Sequence, residues 1–297
     1  MSRSSLSTLD RFAIAIPFIW LLTFLALPLV SVIGLSVHEV ADSIPPVAPL
    51  WTRLDGHISV HASLGAYRAL VSDPLYRHAF WNALVNASTT AVVCILIGFP
   101  IALAMAQAPP RRRAFYVMLA ILPFWTSFLM RAYAWMGLIR DTGPIDSLLM
   151  SLGIVREPLP LLYSHVAVLL VMVYSYLPFF ILPMYAVLEK LPSDLLAAAA
   201  DLGAGPAYAF RTVTLPLALP GIIAGGILVF VPALGEYVIP ELVGNNGTLM
   251  IGAILWDEFF QNRDWPLAAA IAVTTFGILM IPSWLLRRRF AQLAASQ

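Results

Sequence analysis

Six nearly uncharged runs set the rhythm of this chain, at 12–37, 79–107, 114–139, 162–188, 217–239 and 265–286. About 20 apolar residues suffice to cross the hydrocarbon of a bilayer as a helix. Each run meets that length, the third with Arg131 inside it. The pattern predicts an all-α polytopic membrane protein with six transmembrane helices. Pro28, Pro100, Pro123, Pro178, Pro183 and Pro232 fall inside the runs. In a membrane bundle neighbouring groups re-satisfy the backbone that proline frees, so these are expected to be kinks. The first run is too long for a signal-peptide core, and no small-residue cleavage site follows it, so it is expected to be a retained helix.

One polar interval stands apart. The stretch LAAAADLGAGPAYAFRTVTLP, residues 196–216, lies between the fourth and fifth runs. Ser193 is placed to cap a helix starting at Asp194, whose carboxylate suits the positive end of the helix dipole. Gly203 ends that helix, and Pro206 opens a second short one. Two alanine-rich helices with little charge offer a close-packing face to a soluble partner. An interfacial helix lying on lipid is disfavoured, because its polar face would carry more Lys and Arg.

Composition agrees with the setting. Of 297 residues, 60% are hydrophobic and only 11% charged, and the net charge of +1 gives no basis for nucleic-acid binding. The single cysteine, Cys94, excludes an internal disulfide and reads as a small buried hydrophobe. Six spans place both termini on one side. That side holds ten of the seventeen basic residues, with the clusters PPRRR and LLRRRF, which marks it as cytoplasmic. Twelve of the sixteen acids fall on the other side, which suits a cationic solute arriving from outside.

The stretch 196–216 resembles the EAA loop of type I ABC-importer permeases. Ala197-Ala198-Ala199, three residues, Gly203, nine residues, then Val213-Thr214-Leu215-Pro216 reproduces the spacing of that motif, with Ala197 where the family usually has glutamate. In that family the loop is a coupling helix that docks on an ATP-hydrolysing subunit. The resemblance therefore implies that Asp194, Ala197, Ala198, Ala199, Asp201, Gly203, Leu215 and Pro216 form the docking surface. LPFWTSFLMRAYAWMGLI, GEYVIPELVG, MIGAILWDEFFQNRDWPLA and SDPLY are similar to spermidine/putrescine permeases, above all the putrescine-type subunit.

Membership of that family implies a multi-pass subunit of a bacterial inner (plasma) membrane importer. Its partners are a second homologous permease, two ATP-binding subunits and an extracytoplasmic substrate-binding protein. ATP and magnesium belong to the partner subunits, and the permease holds no cofactor and is not an enzyme. This chain indeed has no G-x-x-x-x-G-K-[ST] loop. The expected organisation is a first helix with an extracytoplasmic loop (1–77), a five-helix core (78–287) containing the coupling loop 189–216, and a cytoplasmic tail (288–297).

Charges within the runs single out a substrate path. At about 1.5 Å rise per residue, Glu236 and Arg131 reach similar depth near the outer edge of the hydrocarbon. Intramembrane charges rarely go unpaired, which predicts that the two pair with each other. Alternatively or in addition, Glu236 meets an amine cargo. Trp125, Tyr133, Trp135, Tyr174, Tyr176 and Tyr237 offer ring faces that attract alkylammonium groups, and Asp257 and Glu258 add acidity on the outer side. His57 and His61 stand i, i+4 in the loop 39–78 but lack a carboxylate at matching spacing, so no metal site is expected. Gly221-x-x-x-Gly225 allows close helix approach, either within the bundle or to a sister subunit. Two other readings are an importer for a different small solute, such as an amino-acid derivative, and an intramembrane hydrolase. For the latter His165 is the sole base near a span and has no clear serine partner.

Overall fold

The computed structural model describes residues 8–54 and 57–295, with side chains for 14–51, 61–192 and 194–280. The chain opens with α1 (Thr8–Leu35), a ribbon of β1 (Trp51–Leu54) and β2 (His57–Val60), and α2 (Gly65–Ser72). Then come α3 (Pro74–Gln107), α4 (Pro110–Ile121), α5 (Phe128–Ile139), α6 (Pro144–Ser151) and α7 (His165–Leu188). The last third holds α8 (Ser193–Asp201), α9 (Pro206–Ala209), α10 (Leu215–Leu234), α11 (Val238–Val243), α12 (Ile251–Phe260) and α13 (Trp265–Ala295). The antiparallel ribbon, in register from Trp51 opposite Val60 to Leu54 opposite His57, corrects the all-α expectation to nearly all-α.

Four helices are singly long and apolar enough to cross a membrane: 14–35, 74–107, 165–188 and 206–234. The expected third span is not one straight helix. It is a pair, Pro110–Trp125 and Phe128–Ser151, bent by 90°. A 3-10 turn at Leu122–Trp125 tightens the end of α4, and Thr126 and Ser127 are extended, so the i to i−4 ladder stops there. The expected sixth span falls on α13, whose described apolar part is Trp265–Met280. The described residues thus carry four or five candidate spans rather than six.

The chain divides into two compact units. One comprises Met1–Tyr76 and Leu255–Gln297. In it α1 and α2 pack on α13, and Phe259 stacks on Trp265 with centroids 5.2 Å apart. The other, Arg77–Ile254, is built around α3, α7 and α10. On α3 the row Thr90, Cys94, Gly98 repeats every four residues, the ridge that packs into the groove of a neighbouring helix. Thr90 lies beside Met172 Sδ, and Cys94 Sγ is 3.7 Å from the Val173 carbonyl of α7. A Cβ at Gly98 would meet the Phe180 ring at 2.6 Å, and one at Gly225 of α10 would meet it at 2.8 Å. Phe180, fully buried, thus fills a slot with glycine on both sides. Gly221 faces Val187 in the same way. The Gly221/Gly225 motif therefore serves packing within this chain.

Candidate functional site

The end of the second unit where α7 stops carries the alanine-rich helices. Helix α8 begins one residue earlier than expected, at Ser193, with Pro192 as its N-cap and no side-chain cap. Its other end is closed as expected. Gly203 takes φ +81°, its N–H donates to the Ala200 carbonyl at 2.9 Å, and the Ala204 N–H donates to Ala199 at 3.0 Å. That pair of bonds is the Schellman arrangement, which satisfies carbonyls a helix end leaves open and needs a left-handed residue at this position. Asp194, Ala197, Ala198 and Asp201 are exposed, and Ala199 is half-buried. Asp194 and Asp201, three before and four after Ala197, share its face.

Pro206 opens α9 as expected, at its first turn. The second helix is not separate, however. A π-helical turn, Phe210–Thr214, carries it straight into α10, so 206–234 is one continuous apolar helix. Leu215 and Pro216 form the first turn of α10. Leu202, 89% exposed, and Tyr208, 65% exposed, project from the α8–α9 connection. Gly203→Val should distort this connection while leaving the spans intact. No atom lies within 4 Å of the position a Cβ would take, so the strain comes from the backbone alone, about 1–2 kcal/mol and worst for a β-branched residue. Asparagine tolerates this conformation, so Gly203→Asn should retain coupling that Gly203→Val loses. Transport-linked ATPase activity of the reconstituted complex checks this; equal activity in both variants and wild type would show the conformation is not required.

At the far end of α10 the chain turns at Gly235, and Glu236 is 6% exposed. Its Oε1 accepts the N–H groups of Tyr237, Val238 and Ile239 at 3.1, 2.9 and 3.3 Å, and its Oε2 accepts the Tyr176 hydroxyl. The carboxylate thus closes the start of α11 and ties it to α7. Space here is tight, since a Cβ at Gly252 would meet the Gly235 carbonyl at 2.5 Å.

Arg131 is engaged elsewhere, and the expected pair does not form. Its Nη1 donates to the Pro123 carbonyl at 2.5 Å, and its guanidinium lies 5.8 and 5.6 Å from the ring centroids of Phe124 and Phe128. The same carbonyl, released by the bend between α4 and α5, also accepts from Thr126, through its hydroxyl at 2.9 Å and its N–H at 3.4 Å. Arg131 adds a charged donor to it and gains cation–π contact in return. α5 nonetheless packs against α11, so Arg131 and Glu236 lie on neighbouring elements without an ion pair between them.

Trp135 and Tyr174 meet edge to face at 5.3 Å, coupling α5 to α7. Trp125 and Tyr133 are exposed, and Tyr237 is half-buried beside Glu236. In the first unit, Glu258 is buried and accepts from the Tyr76 hydroxyl at 3.0 Å and from Asn262 Nδ2 at 2.9 Å. Asp257 is half-buried and accepts from Gln261 at 2.8 Å. The side chain of His57 lies outside the described residues. Among the described residues no three of His, Cys, Asp and Glu gather where they could hold a metal. Phe180 is the important residue that sequence reasoning did not assign, and Tyr176, expected only as a ring face, binds Glu236 through its hydroxyl instead. Their partners lie 45 or more residues away.

Residues 98–290 match the family model described as the binding-protein-dependent transport system inner membrane component. The chain belongs to this family. The spermidine/putrescine transport system permease protein PotB of Haemophilus influenzae is 35% identical over 89% of this chain and 88% of its own length. PotB of Escherichia coli is 33% identical over 89% of this chain and 93% of its own. The fold agrees with a chain of a bacterial ABC transporter that imports the acidic polysaccharide alginate, with a TM-score of 0.65 over 93% of this chain and 94% of that one at 19% identity. As a family member the chain is a multi-pass membrane component of an importer, a transport subunit rather than an enzyme.

Proposed function

We propose that this chain is one permease subunit of an ATP-driven importer that moves a polyamine, a putrescine- or spermidine-like cation, into the cytoplasm of a bacterium across its inner membrane. The observation that carries the reading is kinship over 89% of the chain with permeases named for spermidine and putrescine, at 33–35% identity. In this reading a sister permease completes the pathway, and two ATP-binding subunits holding ATP and magnesium dock at α8 and α9. An extracytoplasmic binding protein delivers cargo, and six spans leave both termini in the cytoplasm. The chain contributes no covalent chemistry. It alternates between access from either side, with motion entering through α8 and α9 and passing from α9 directly into α10, because the π-helical turn leaves no loop between those two.

Two features of this chain bear on the cargo. Outer loops rich in acid raise the local concentration of a cation, and ring faces at Trp135 and Tyr174 suit an alkylammonium. The test is ATP-dependent uptake into proteoliposomes of the reconstituted complex with its binding protein, using labelled putrescine, spermidine and an amino-acid derivative. Saturable uptake of either polyamine is the expected result. Uptake of the amino-acid derivative alone would replace this cargo with the other solute class.

A further inference from the structure

Behind α8 the second unit holds a cavity of about 240 Å³, open on one side. Its walls are apolar: Leu103 and Ala106 from the end of α3, Leu188 from the end of α7, Leu195 and Leu196 from α8, and Leu217 from α10. One edge is polar. Arg113 lines it, donating through Nε to the Ala108 carbonyl at 2.9 Å and pairing through Nη1 with Glu189 at 3.4 Å. Glu189 also accepts the Tyr185 hydroxyl at 2.7 Å, so its charge is already shared between two donors. Arg111, Arg112 and Lys190 stand exposed beside this edge in sequence. In the sequence flanking the lining, four cations (Arg111, Arg112, Arg113 and Lys190) stand against two carboxylates (Glu189 and Asp194).

We propose that this groove binds an anionic phospholipid, with part of an acyl chain between α3, α7, α8 and α10 and the phosphate at the Arg111–Arg113 and Lys190 edge. Three observations select this occupant. The cavity lies where α3, α7 and α10 all end or begin, which is the depth of lipid headgroups for helices that span a bilayer. The rim is net positive while the interior is apolar, so an amphiphile with one anionic head complements both parts. A soluble phosphate would match only the rim. The cations come from the first turn of α4 and from the turn after α7, not from α8 itself, so the lipid joins α8 to the bundle without α8 having to lie in the membrane. A seated lipid therefore stiffens the connection between the docking surface and the spans.

The test is native mass spectrometry of the assembled complex and of the full-length permease alone, after exchange into equimolar phosphatidylglycerol and phosphatidylcholine. The wild-type chain should retain phosphatidylglycerol over phosphatidylcholine by at least about tenfold, at roughly 1 kcal/mol of attraction per basic residue near an anionic lipid. The triple variant Arg111→Gln/Arg112→Gln/Lys190→Gln changes only exposed side chains and should bring the ratio near one. Leu196→Asp, which puts a carboxylate on the groove wall, should lower total retention at unchanged melting temperature. A ratio that survives the triple variant would overturn the proposal. So would displacement of the lipid by glycerol phosphate at equal concentration, which would mean a site for the headgroup alone. Loss of the lipid on assembly with the ATP-binding subunits would also overturn it, because the groove would then be filled by protein. The readout is lipid retention, so failure here leaves the transport reading untouched, and failure of uptake leaves this one untouched.

Discussion

Gly98→Ala and Gly225→Ala should each destabilise the permease by about 1–3 kcal/mol, and Gly225→Leu should prevent the bundle from assembling. The usual expectation has the opposite sign, since alanine in a helix is favoured over glycine by up to about 1 kcal/mol. Packing decides here. The Phe180 ring would lie 2.6 Å from a Cβ at Gly98 and 2.8 Å from one at Gly225, closer than carbon atoms tolerate. Because the two glycines press on the ring from α3 and α10, it cannot retreat from one without meeting the other. Close-packed interiors transmit such strain rather than absorbing it. Gly137 supplies the control, because a Cβ there meets nothing within 4 Å, and Gly137→Ala should be neutral or slightly stabilising. Phe180→Leu alone should destabilise by leaving a cavity. Combined with Gly225→Ala it should cost less than the sum of the two, a coupling of at least about 1 kcal/mol between residues in contact. Thermal melting of the purified permease measures all of these. If the alanines at 98 and 225 melt no differently from Gly137→Ala, the slot is not tight.

What the sequence disclosed follows from how local each feature is. The long helices 74–107, 165–188 and 206–234 were legible because a run of apolar residues is itself the requirement for crossing lipid. The closure of α8 was legible for a similar reason: the bonds at Gly203 and Ala204 involve residues no more than five positions apart. The bend after α4 was half legible. Pro123 announced a kink, but the 90° turn depends on Thr126 and Ser127 being extended, which hydropathy does not encode. The bend also brings the Pro123 carbonyl within reach of Arg131, which takes it as partner in place of Glu236. The ribbon at 51–60 is hidden because a polar interval between apolar runs has the hydropathy of a loop, although His57-Ile58-Ser59-Val60 alternates as a strand does. Tyr176 to Glu236 and Phe180 to Gly98 and Gly225 join residues 45 to 82 positions apart. Only the packed bundle brings those together.

Glu236→Ala should be among the most damaging single changes to this chain. The carboxylate is 6% exposed, and three backbone N–H groups and one tyrosine hydroxyl donate to it. Removing it leaves four donors without that acceptor, two of them buried and two half-buried, at about 3–5 kcal/mol once relaxation is allowed for. Glu236→Gln keeps a carbonyl oxygen for the three N–H groups and loses only the charge, so it should cost about 1–2 kcal/mol. Tyr176→Phe deletes the donor to Oε2 and should cost a similar amount. Arg131→Met should not rescue Glu236→Gln, because Arg131 is spent on the Pro123 carbonyl and two aromatic rings rather than on this carboxylate. Cargo enters through kinetics. All three N–H donors to Glu236 converge on Oε1, whereas Oε2 takes one hydroxyl and has capacity left for an ammonium group. If a polyamine uses it, Glu236→Gln should raise the KM for uptake severalfold while Tyr176→Phe leaves KM near wild type, with both proteins assembled. If the carboxylate only closes α11, both variants should lower melting temperature and yield together at unchanged KM. A Glu236→Ala protein that melts with wild type would refute the structural role, and a Glu236→Gln protein with wild-type KM would refute the cargo role.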